Sequence, residues 1–187
     1  QCCLVGSEMC IRDRKYIGQW TKDLRSGDGS QTYLNGDKYE GEWLENKRDG
    51  FGIMTYANGN QYEGKWNKGL RSGIGTYTYA NGDIFSGKWE DGQKNGKGTI
   101  NYVNGDQYDG DWSNNRIQGL GVFTYANGSS YDGEWLNGKR NGRGTFITAA
   151  NEKYLGEWLN NLKEGEGTYT YGDGSKYKGK WKNNKRN

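Results

Sequence analysis

The 187-residue chain contains no histidine. This absence excludes histidine-based acid–base catalysis, Ser-His-Asp and Cys-His nucleophiles, and histidine metal ligands. The three cysteines, Cys2, Cys3 and Cys10, all lie within the first ten residues, so the rest of the chain has neither a disulfide nor a thiolate metal site. We therefore predict no catalytic residues, no metal site and no cofactor.

Long apolar segments are also missing. Hydrophobic residues make up only 31% of the chain, and no run approaches the roughly 20 apolar residues that a membrane-spanning helix needs. A conventional two-layer core is not expected from this composition. However, aromatic residues reach 14%, whereas disordered chains are poor in aromatics. The rings can therefore supply the buried area of a folded protein.

These rings recur at a fixed interval. The pattern Tyr-x-Gly-x-Trp returns every 23 residues, with phenylalanine in place of tyrosine once. A constant period of this size is typical of arrays in which small units bury their faces against one another. We predict an array over residues 16–187, with seven full repeats and a shortened eighth. The repeats begin at Tyr16, Tyr39, Tyr62, Phe85, Tyr108, Tyr131, Tyr154 and Tyr177.

The leader before the array looks foreign. Residues 1–14 resemble the translation of a sequencing-adaptor end, so we exclude them from arguments about fold and targeting. Because the array starts abruptly beside this leader and stops within its eighth repeat, we expect that both natural ends of the protein are missing.

Residues 39–61 serve as the model repeat, and they read YEGEWLENKRDGFGIMTYANGNQ. In the first segment, tyrosine, glycine and tryptophan alternate with acids, which predicts a strand with rings on one face and charges on a solvated face. Residues 52–56 are the second predicted strand, after an eight-residue polar loop at residues 44–51. The Asn-Gly turn that follows is expected to be longer than two residues or bulged, because a two-residue turn would shift the register and expose the rings.

The predicted pairing places Trp43 opposite Gly52 and Gly41 opposite Met54, so that rings lie across glycines. The fold class that follows is all-β, an elongated single-layer antiparallel meander of about 15 strands, twisted and curled into a ribbon. The aromatic face is interpreted as the core, although the same rings are also suited to stack on sugars or bases. Its tryptophans are Trp20, Trp43, Trp66, Trp89, Trp112, Trp135, Trp158 and Trp181.

Taken together, Tyr-x-Gly-x-Trp, the basic pair Lys47-Arg48, Gly50-x-Gly52, Tyr56 and Asn58-Gly59 resemble the MORN repeat (membrane occupation and recognition nexus). The resemblance covers residues 16–187. It implies a scaffold or targeting module, since such arrays accompany membrane-junction proteins, cytoskeletal scaffolds, plant-type phosphatidylinositol phosphate kinases and a histone-lysine methyltransferase. Phospholipid binding and self-association are the roles that it implies for the repeats.

Charge is uneven within the repeat. The eight segments that follow the tryptophans together carry +8, whereas the first strands are negative. This pattern predicts a basic edge, which is either a solvated loop row or a surface for anionic phospholipid headgroups. Nucleic acid is not expected to bind. A charge of +8 spread along the whole predicted ribbon is sparse beside a duplex, which carries one charge per about 1.7 Å. The candidate residues are Lys47, Arg48, Lys68, Arg71, Lys94, Lys97, Arg116, Lys139, Arg140, Arg143, Lys182, Lys185 and Arg186.

Three functions remain open from the sequence. The first is a non-catalytic cytoplasmic scaffold that binds a protein partner and, peripherally, an anionic membrane or the cytoskeleton. The second is the regulatory region of an enzyme, similar to a phosphatidylinositol phosphate kinase or a SET-type lysine methyltransferase, whose catalytic domain lies outside this segment. The third is a bacterial wall-binding array, which the absence of adjacent Trp-Tyr pairs disfavours.

Overall fold

A computed structural model describes residues 8–11 and 14–187. The chain divides into two compact units, residues 1–93 and residues 94–187. Of the leader, Glu8–Ile11 forms a short strand, and residues 1–7 and 12–13 lie outside the described residues. The described residues contain strands and turns but no helix, as predicted.

The strands are numbered in chain order. The first unit contains β1 (Glu8–Ile11), β2 (Arg14–Thr21), β3 (Leu24–Thr32), β4 (Lys38–Leu44), β5 (Lys47–Thr55), β6 (Gln61–Asn67), β7 (Leu70–Thr78) and β8 (Ile84–Glu90). The second contains β9 (Gln93–Asn101, all but its first residue), β10 (Gln107–Ser113), β11 (Arg116–Thr124), β12 (Ser130–Leu136), β13 (Lys139–Ile147), β14 (Lys153–Leu159), β15 (Leu162–Thr170), β16 (Lys176–Lys182) and β17 (Lys185–Arg186).

Within each unit, every strand pairs antiparallel with the next strand along the chain. The predicted all-β antiparallel meander of hairpins is therefore confirmed. Each 23-residue repeat supplies a strand of about seven residues and one of about nine, joined by a tight turn.

That tight turn contains only two residues. Leu44 lies opposite Lys47, and the residues between them, Glu45 and Asn46, have φ of 47° and 68°. Two consecutive residues with positive φ form a type I′ turn, whose twist matches that of paired strands. The predicted eight-residue loop is wrong, because β5 begins immediately after the turn. The other repeats place positive-φ residues at the same positions, most often asparagine or glycine.

The register also differs from the predicted one. Gly41 lies opposite Gly52 and Trp43 lies opposite Arg48, so that one residue of β4 faces three residues of β5 between these pairs. The result is a β-bulge with two extra residues in β5, and because that number is even Arg48 stays on the same face as Gly52 and Met54. The prediction that Trp43 faces Gly52 is wrong because the two extra residues of β5 place Arg48 opposite Trp43 and Gly52 opposite Gly41.

An acidic side chain accepts a hydrogen bond from a backbone N–H group at this bulge. The backbone N–H of Phe51 donates a hydrogen bond to the Glu42 carboxylate at 2.7 Å, beside Gly50 with its φ of 90°. Glu42, which alternation placed on a solvated face without a role, thus binds a backbone donor that the strand ladder leaves over. The same bond recurs from Leu120 to Asp111 and from Arg143 to Glu134.

At the other end of each hairpin the turn is longer, as predicted. Thr55 pairs with Gln61, and between them Tyr56 N–H donates to the Asn60 carbonyl while Gly59 N–H donates to that of Tyr56. Successive turns are also tied together, because the Asn60 side chain accepts a hydrogen bond from the Ala80 N–H at 2.8 Å. This bond fixes the turn of one repeat relative to the next.

The core of each unit is one layer of interlocked rings. Tyr39 is fully buried, with its ring edge-to-face against Trp43 at 5.1 Å and against Trp66 at 5.5 Å between centroids. Such edge-to-face pairs add to the stabilisation that burial provides. The Trp66 Nε1–H donates to the Gly52 carbonyl of the preceding repeat at 3.1 Å. Each tryptophan from Trp43 to Trp181 makes the equivalent bond.

The glycines make room for this layer, as the sequence predicted. The Tyr39 ring lies over the facing pair Gly41 and Gly52, and its hydroxyl donates to the Glu42 carbonyl at 3.0 Å. A side chain on either glycine would occupy the position of the tyrosine. Small residues are therefore required here for packing.

Replacing Tyr62 by phenylalanine tests the contribution of these hydroxyls. Tyr62 is fully buried and donates to the Lys65 carbonyl at 2.9 Å. We expect the free energy of unfolding to fall by about 1 kcal/mol, since the ring stays and one buried carbonyl loses its partner. Urea unfolding followed by tryptophan fluorescence measures the change. Phe85 occupies the same repeat position naturally, so a collapse of the fold in this variant would contradict the assignment.

Candidate functional site

A basic side chain lies on the ring layer five residues after every tryptophan except Trp112. The Arg48 guanidinium carbon is 4.2 Å from the Trp66 ring centroid and 5.8 Å from that of Tyr39. One guanidinium nitrogen, Nη2, donates to the Gly69 carbonyl at 2.8 Å. The cation–π contact and this backbone bond together hold the guanidinium over the indole.

Arg71 repeats this arrangement one repeat further along. Its guanidinium carbon is 4.3 Å from the Trp89 ring and 5.4 Å from the Tyr77 ring, and its Nη2 donates to the Gly92 carbonyl at 2.7 Å. No salt bridge involves Arg48 or Arg71 among the described residues. Each therefore keeps its positive charge uncompensated by a contacting carboxylate.

Arg25 makes more hydrogen bonds with its side chain than Arg48 or Arg71 does. Its guanidinium carbon is 4.3 Å from the Trp43 ring, and its nitrogens donate to the Gln31 side chain at 2.8 Å and to the Asn46 carbonyl at 3.0 Å. Gln31 replaces the apolar residue of other repeats and is buried. Fewer donors of Arg25 are thus available to a ligand.

The second unit has a weaker version of this series. Lys94 lies over Trp112, Arg140 over Trp158 and Lys163 over Trp181. Burial lowers the pKa of Arg140 and of Lys163, and the nearby charge of Arg140 lowers that of Lys163 further. At Ile117 the basic residue is missing altogether.

Tyrosines form a second, partly exposed row beside the arginines of the first unit. Tyr77 contacts Tyr79 at 4.7 Å and Tyr56 at 6.1 Å between centroids. Burial raises the pKa of Tyr56, while the charges of Arg71 and Arg48 oppose this rise. The Tyr56 side chain therefore lies within the electrostatic reach of both guanidinia.

Arg48, Arg71 and Tyr56 line an open groove of about 500 Å³. It runs over the ring layer from the turn that begins at Tyr33 to the type I′ turn at Gly69. Its walls combine aromatic and aliphatic surface with two guanidinia and with Asp37, whose carboxylate accepts hydrogen bonds from the Ala57 N–H and the Asn35 side chain. The two guanidinia suit a ligand with both apolar and anionic groups. The side chains that line it include Tyr33, Leu34, Arg48, Met54, Tyr56, Trp66 and Arg71.

The thirteen residues predicted to form one basic edge occupy three different places. Five lie on the ring layer: Arg48, Arg71, Lys94, Arg140 and Arg186. Six are exposed in or next to the type I′ turns: Lys47, Lys68, Arg116, Lys139, Lys182 and Lys185. Two are exposed beyond the bulge and pair with residues that alternate away from the rings: Lys97 and Arg143.

Lys97 is further occupied by an ion pair. Its ammonium group is 2.8 Å from the Asp111 carboxylate. The hydrogen bond from Lys97 lowers the pKa of Asp111, although partial burial opposes the shift. This lysine is therefore less available to an external anion than the exposed turn lysines.

Of the predicted aromatic face, all the tryptophans except Trp20 are buried, and Trp20 is half-buried. The sequence interpretation missed Arg25, Lys163 and the tyrosine row. One signal was present, since the residue five positions after the tryptophan is basic in seven of the eight repeats. Its neighbours vary far more.

None of the described residues forms a helix long and apolar enough to cross a membrane. In the same residues, no group of three or more histidine, cysteine or acidic side chains is placed so that it could hold a metal ion.

Several solved structures resemble this chain distantly. The TCP domain of Drosophila melanogaster SAS-4 (dCPAP), in complex with a proline-rich motif of Ana2 (dSTIL), is 16% identical over 81% of this chain and 83% of that one, with a TM-score of 0.49. The TCP10c domain of Drosophila melanogaster Sas-4 is 14% identical over 81% and 91%, with a TM-score of 0.46. Likenesses this remote say nothing about what the present chain binds.

No curated protein is similar enough to count as a relative. The sequence itself matches the family model of the MORN repeat eight times. The matched segments are 16–38, 39–61, 62–84, 85–107, 108–130, 131–150, 154–176 and 177–187. The repeats account for nearly all of residues 16–187, and the chain belongs to the MORN repeat family.

Proposed function

We propose that the protein is a non-catalytic scaffold whose first unit binds a protein partner across its cationic–aromatic face. This face consists of Arg25, Arg48 and Arg71 with the tyrosine row Tyr33, Tyr56, Tyr77 and Tyr79. The observation that carries the proposal is that Arg48 and Arg71 are fixed on tryptophan rings without a contacting carboxylate.

The residue types of this face are those that dominate binding energy at protein interfaces. Arginine and tyrosine are enriched among interface hot spots, where a flat and partly buried side chain contacts the partner. The guanidinia of Arg48 and Arg71 are already held by backbone bonds at 2.8 and 2.7 Å. Little conformational entropy remains to be lost when they bind, which favours affinity.

Selection of random peptides displayed on phage, with the whole chain immobilised, tests this function. We expect enriched peptides that the parent binds and that the double variant R48I/R71I binds at least tenfold more weakly. Isoleucine is a fair replacement because the chain itself carries Ile117 at this repeat position. The matched control is K47Q/K68N, which removes the same charge from exposed positions and uses the residues found at Gln93 and Asn114.

The proposal fails if selection enriches no peptide, or if R48I/R71I binds the enriched peptides as well as K47Q/K68N does. Circular dichroism of both variants shows whether the sheet is retained.

The exposed turn lysines support a second candidate, peripheral binding to anionic phospholipid. Lys47, Lys68, Lys139, Lys182 and Lys185 are all exposed at the same end of the hairpins. Each basic residue near an anionic surface contributes about 1 kcal/mol, and the effect weakens as salt rises. In this case K47Q/K68N, and not R48I/R71I, is the variant expected to sediment less with phosphatidylserine vesicles.

Family membership is equally compatible with a regulatory repeat region attached to a lipid kinase or a SET-type methyltransferase. A cytoplasmic location and self-association belong to the same proposal. The face and the variants described above apply to the repeats in either setting.

A further inference from the structure

We propose that the partner segment is an acidic polyproline II helix with a carboxylate at every third residue, lying across the strands of the first unit. This inference rests on the proposed function and specifies the chemistry of its ligand. It follows from three features of the cationic–aromatic face: its spacing, its charge and its hydrogen-bond donors.

The spacing of the face matches the pitch of such a ligand. Arg48 and Arg71 occupy equivalent positions one repeat apart, on β5 and β7, with β6 between them. Two strand separations amount to about 9.6 Å. A polyproline II helix has three residues per turn and rises about 3.1 Å per residue, so its pitch is about 9.3 Å. Side chains at every third position therefore meet successive repeats in register.

Charge selects acidic residues for these positions. Each guanidinium has five N–H donors. In both Arg48 and Arg71, the Nη2 group donates to one backbone carbonyl. Neither residue forms an ion pair among the described residues. A planar guanidinium with vacant donors is suited to a carboxylate, and two of them in register reward a ligand with two correctly spaced acids.

The tyrosine row suits the residues between the acids. Tyr56 lines the same groove as the two arginines, and its side chain is only partly buried. Aromatic grooves accept proline rings, and polyproline II leaves its backbone carbonyls without internal partners. No hydrogen bond of the Tyr56 hydroxyl is found among the described residues, so it can donate to such a carbonyl.

Other backbone forms fit this face less well. An added β-strand needs a free sheet edge, whereas β5, β6 and β7 are paired on both sides within the first unit. An α-helix satisfies its own carbonyls and so offers no backbone acceptor to the Tyr56 hydroxyl.

Synthetic peptides test the inference on the whole chain. Fluorescence anisotropy in low salt compares labelled (Pro-Pro-Glu)4 with a peptide of the same composition whose four glutamates are adjacent, and with neutral (Pro-Pro-Gln)4. We expect (Pro-Pro-Glu)4 to bind at least tenfold more tightly than either. R48I/R71I should lose at least tenfold in affinity, and K47Q/K68N should stay within about twofold of the parent.

A charge swap keeps the test decisive even if R48I/R71I is less stable. The variant R48E/R71E should reject (Pro-Pro-Glu)4 and bind (Pro-Pro-Lys)4, which the parent should not bind. The inference is overturned if the clustered-glutamate peptide binds as tightly as the regular one, or if an alanine-rich helical peptide with a glutamate at every seventh position binds better.

The peptide results separate this inference from the proposed function. If phage-selected peptides depend on Arg48 and Arg71 but (Pro-Pro-Glu)4 does not bind, the face binds protein and the polyproline ligand is wrong. If no peptide of any kind binds and K47Q/K68N loses vesicle binding, both proposals fail and the lipid function replaces them.

Discussion

Replacing Trp66 by alanine is expected to lower the free energy of unfolding by about 3–5 kcal/mol, the usual cost of deleting a buried aromatic ring. The ring is 5% exposed and contacts Tyr39 and Tyr62 edge-to-face. Its removal also leaves the Gly52 carbonyl without its indole donor and Arg48 without its stacking surface. Urea denaturation followed by far-ultraviolet circular dichroism measures the loss.

Trp20→Ala is the matched control. Trp20 contacts the Tyr16 ring at 5.1 Å but is only half-buried, and no repeat precedes its own among the described residues. We expect a loss below about 2 kcal/mol, since part of the indole is already hydrated. Equal midpoint shifts for Trp66→Ala and Trp20→Ala would show that packing on the preceding repeat does not stabilise the array.

Gly52→Ala is expected to have the second-largest effect, a loss of about 3 kcal/mol or more. A Cβ at Gly52 would lie 2.5 Å from Cζ and 2.6 Å from Cε2 of the Tyr39 ring, closer than such atoms approach in proteins. The tyrosine would have to move away from its two tryptophans, and overpacking of a tight core typically costs about 1–3 kcal/mol before such losses are added. Thermal unfolding of the purified variant measures the change.

Gly172→Ala separates crowding from the general effect of removing a glycine. Nothing lies within 4 Å of the position of a Cβ at Gly172, and neither Gly172 nor Gly52 has the left-handed backbone that favours glycine. We therefore expect Gly172→Ala to leave stability unchanged or to raise it slightly, because alanine restricts the unfolded chain. A comparable loss in both variants would refute the steric explanation.

The period of 23 residues and the alternation of tyrosine, glycine and tryptophan were enough to predict the all-β class and the buried ring layer. They were enough because each follows from which side chains are large and how often they recur. The need for glycine under the rings followed in the same way, and Tyr39 over Gly52 confirms it.

The register and the position of Arg48 could not be predicted by the same reasoning. Three residues of β5 face one residue of β4, and the two extra residues shift the register that equal spacing on both strands would give. An arginine among polar neighbours is ordinarily assigned to solvent, but its planar group can also stack on an indole. The type I′ turn had a sequence signal in pairs such as Asn137-Gly138. It was missed because these residues were assigned to an eight-residue loop.

The direction of the indole hydrogen bonds has a consequence for synthesis. Each tryptophan from Trp43 onward donates to the carbonyl of a glycine that lies fourteen residues earlier in the chain, in the preceding repeat. A repeat leaving the ribosome therefore finds its acceptor already made, and each new hairpin can add to a finished template. Deleting repeats from the amino-terminal side would instead leave an indole N–H without its acceptor.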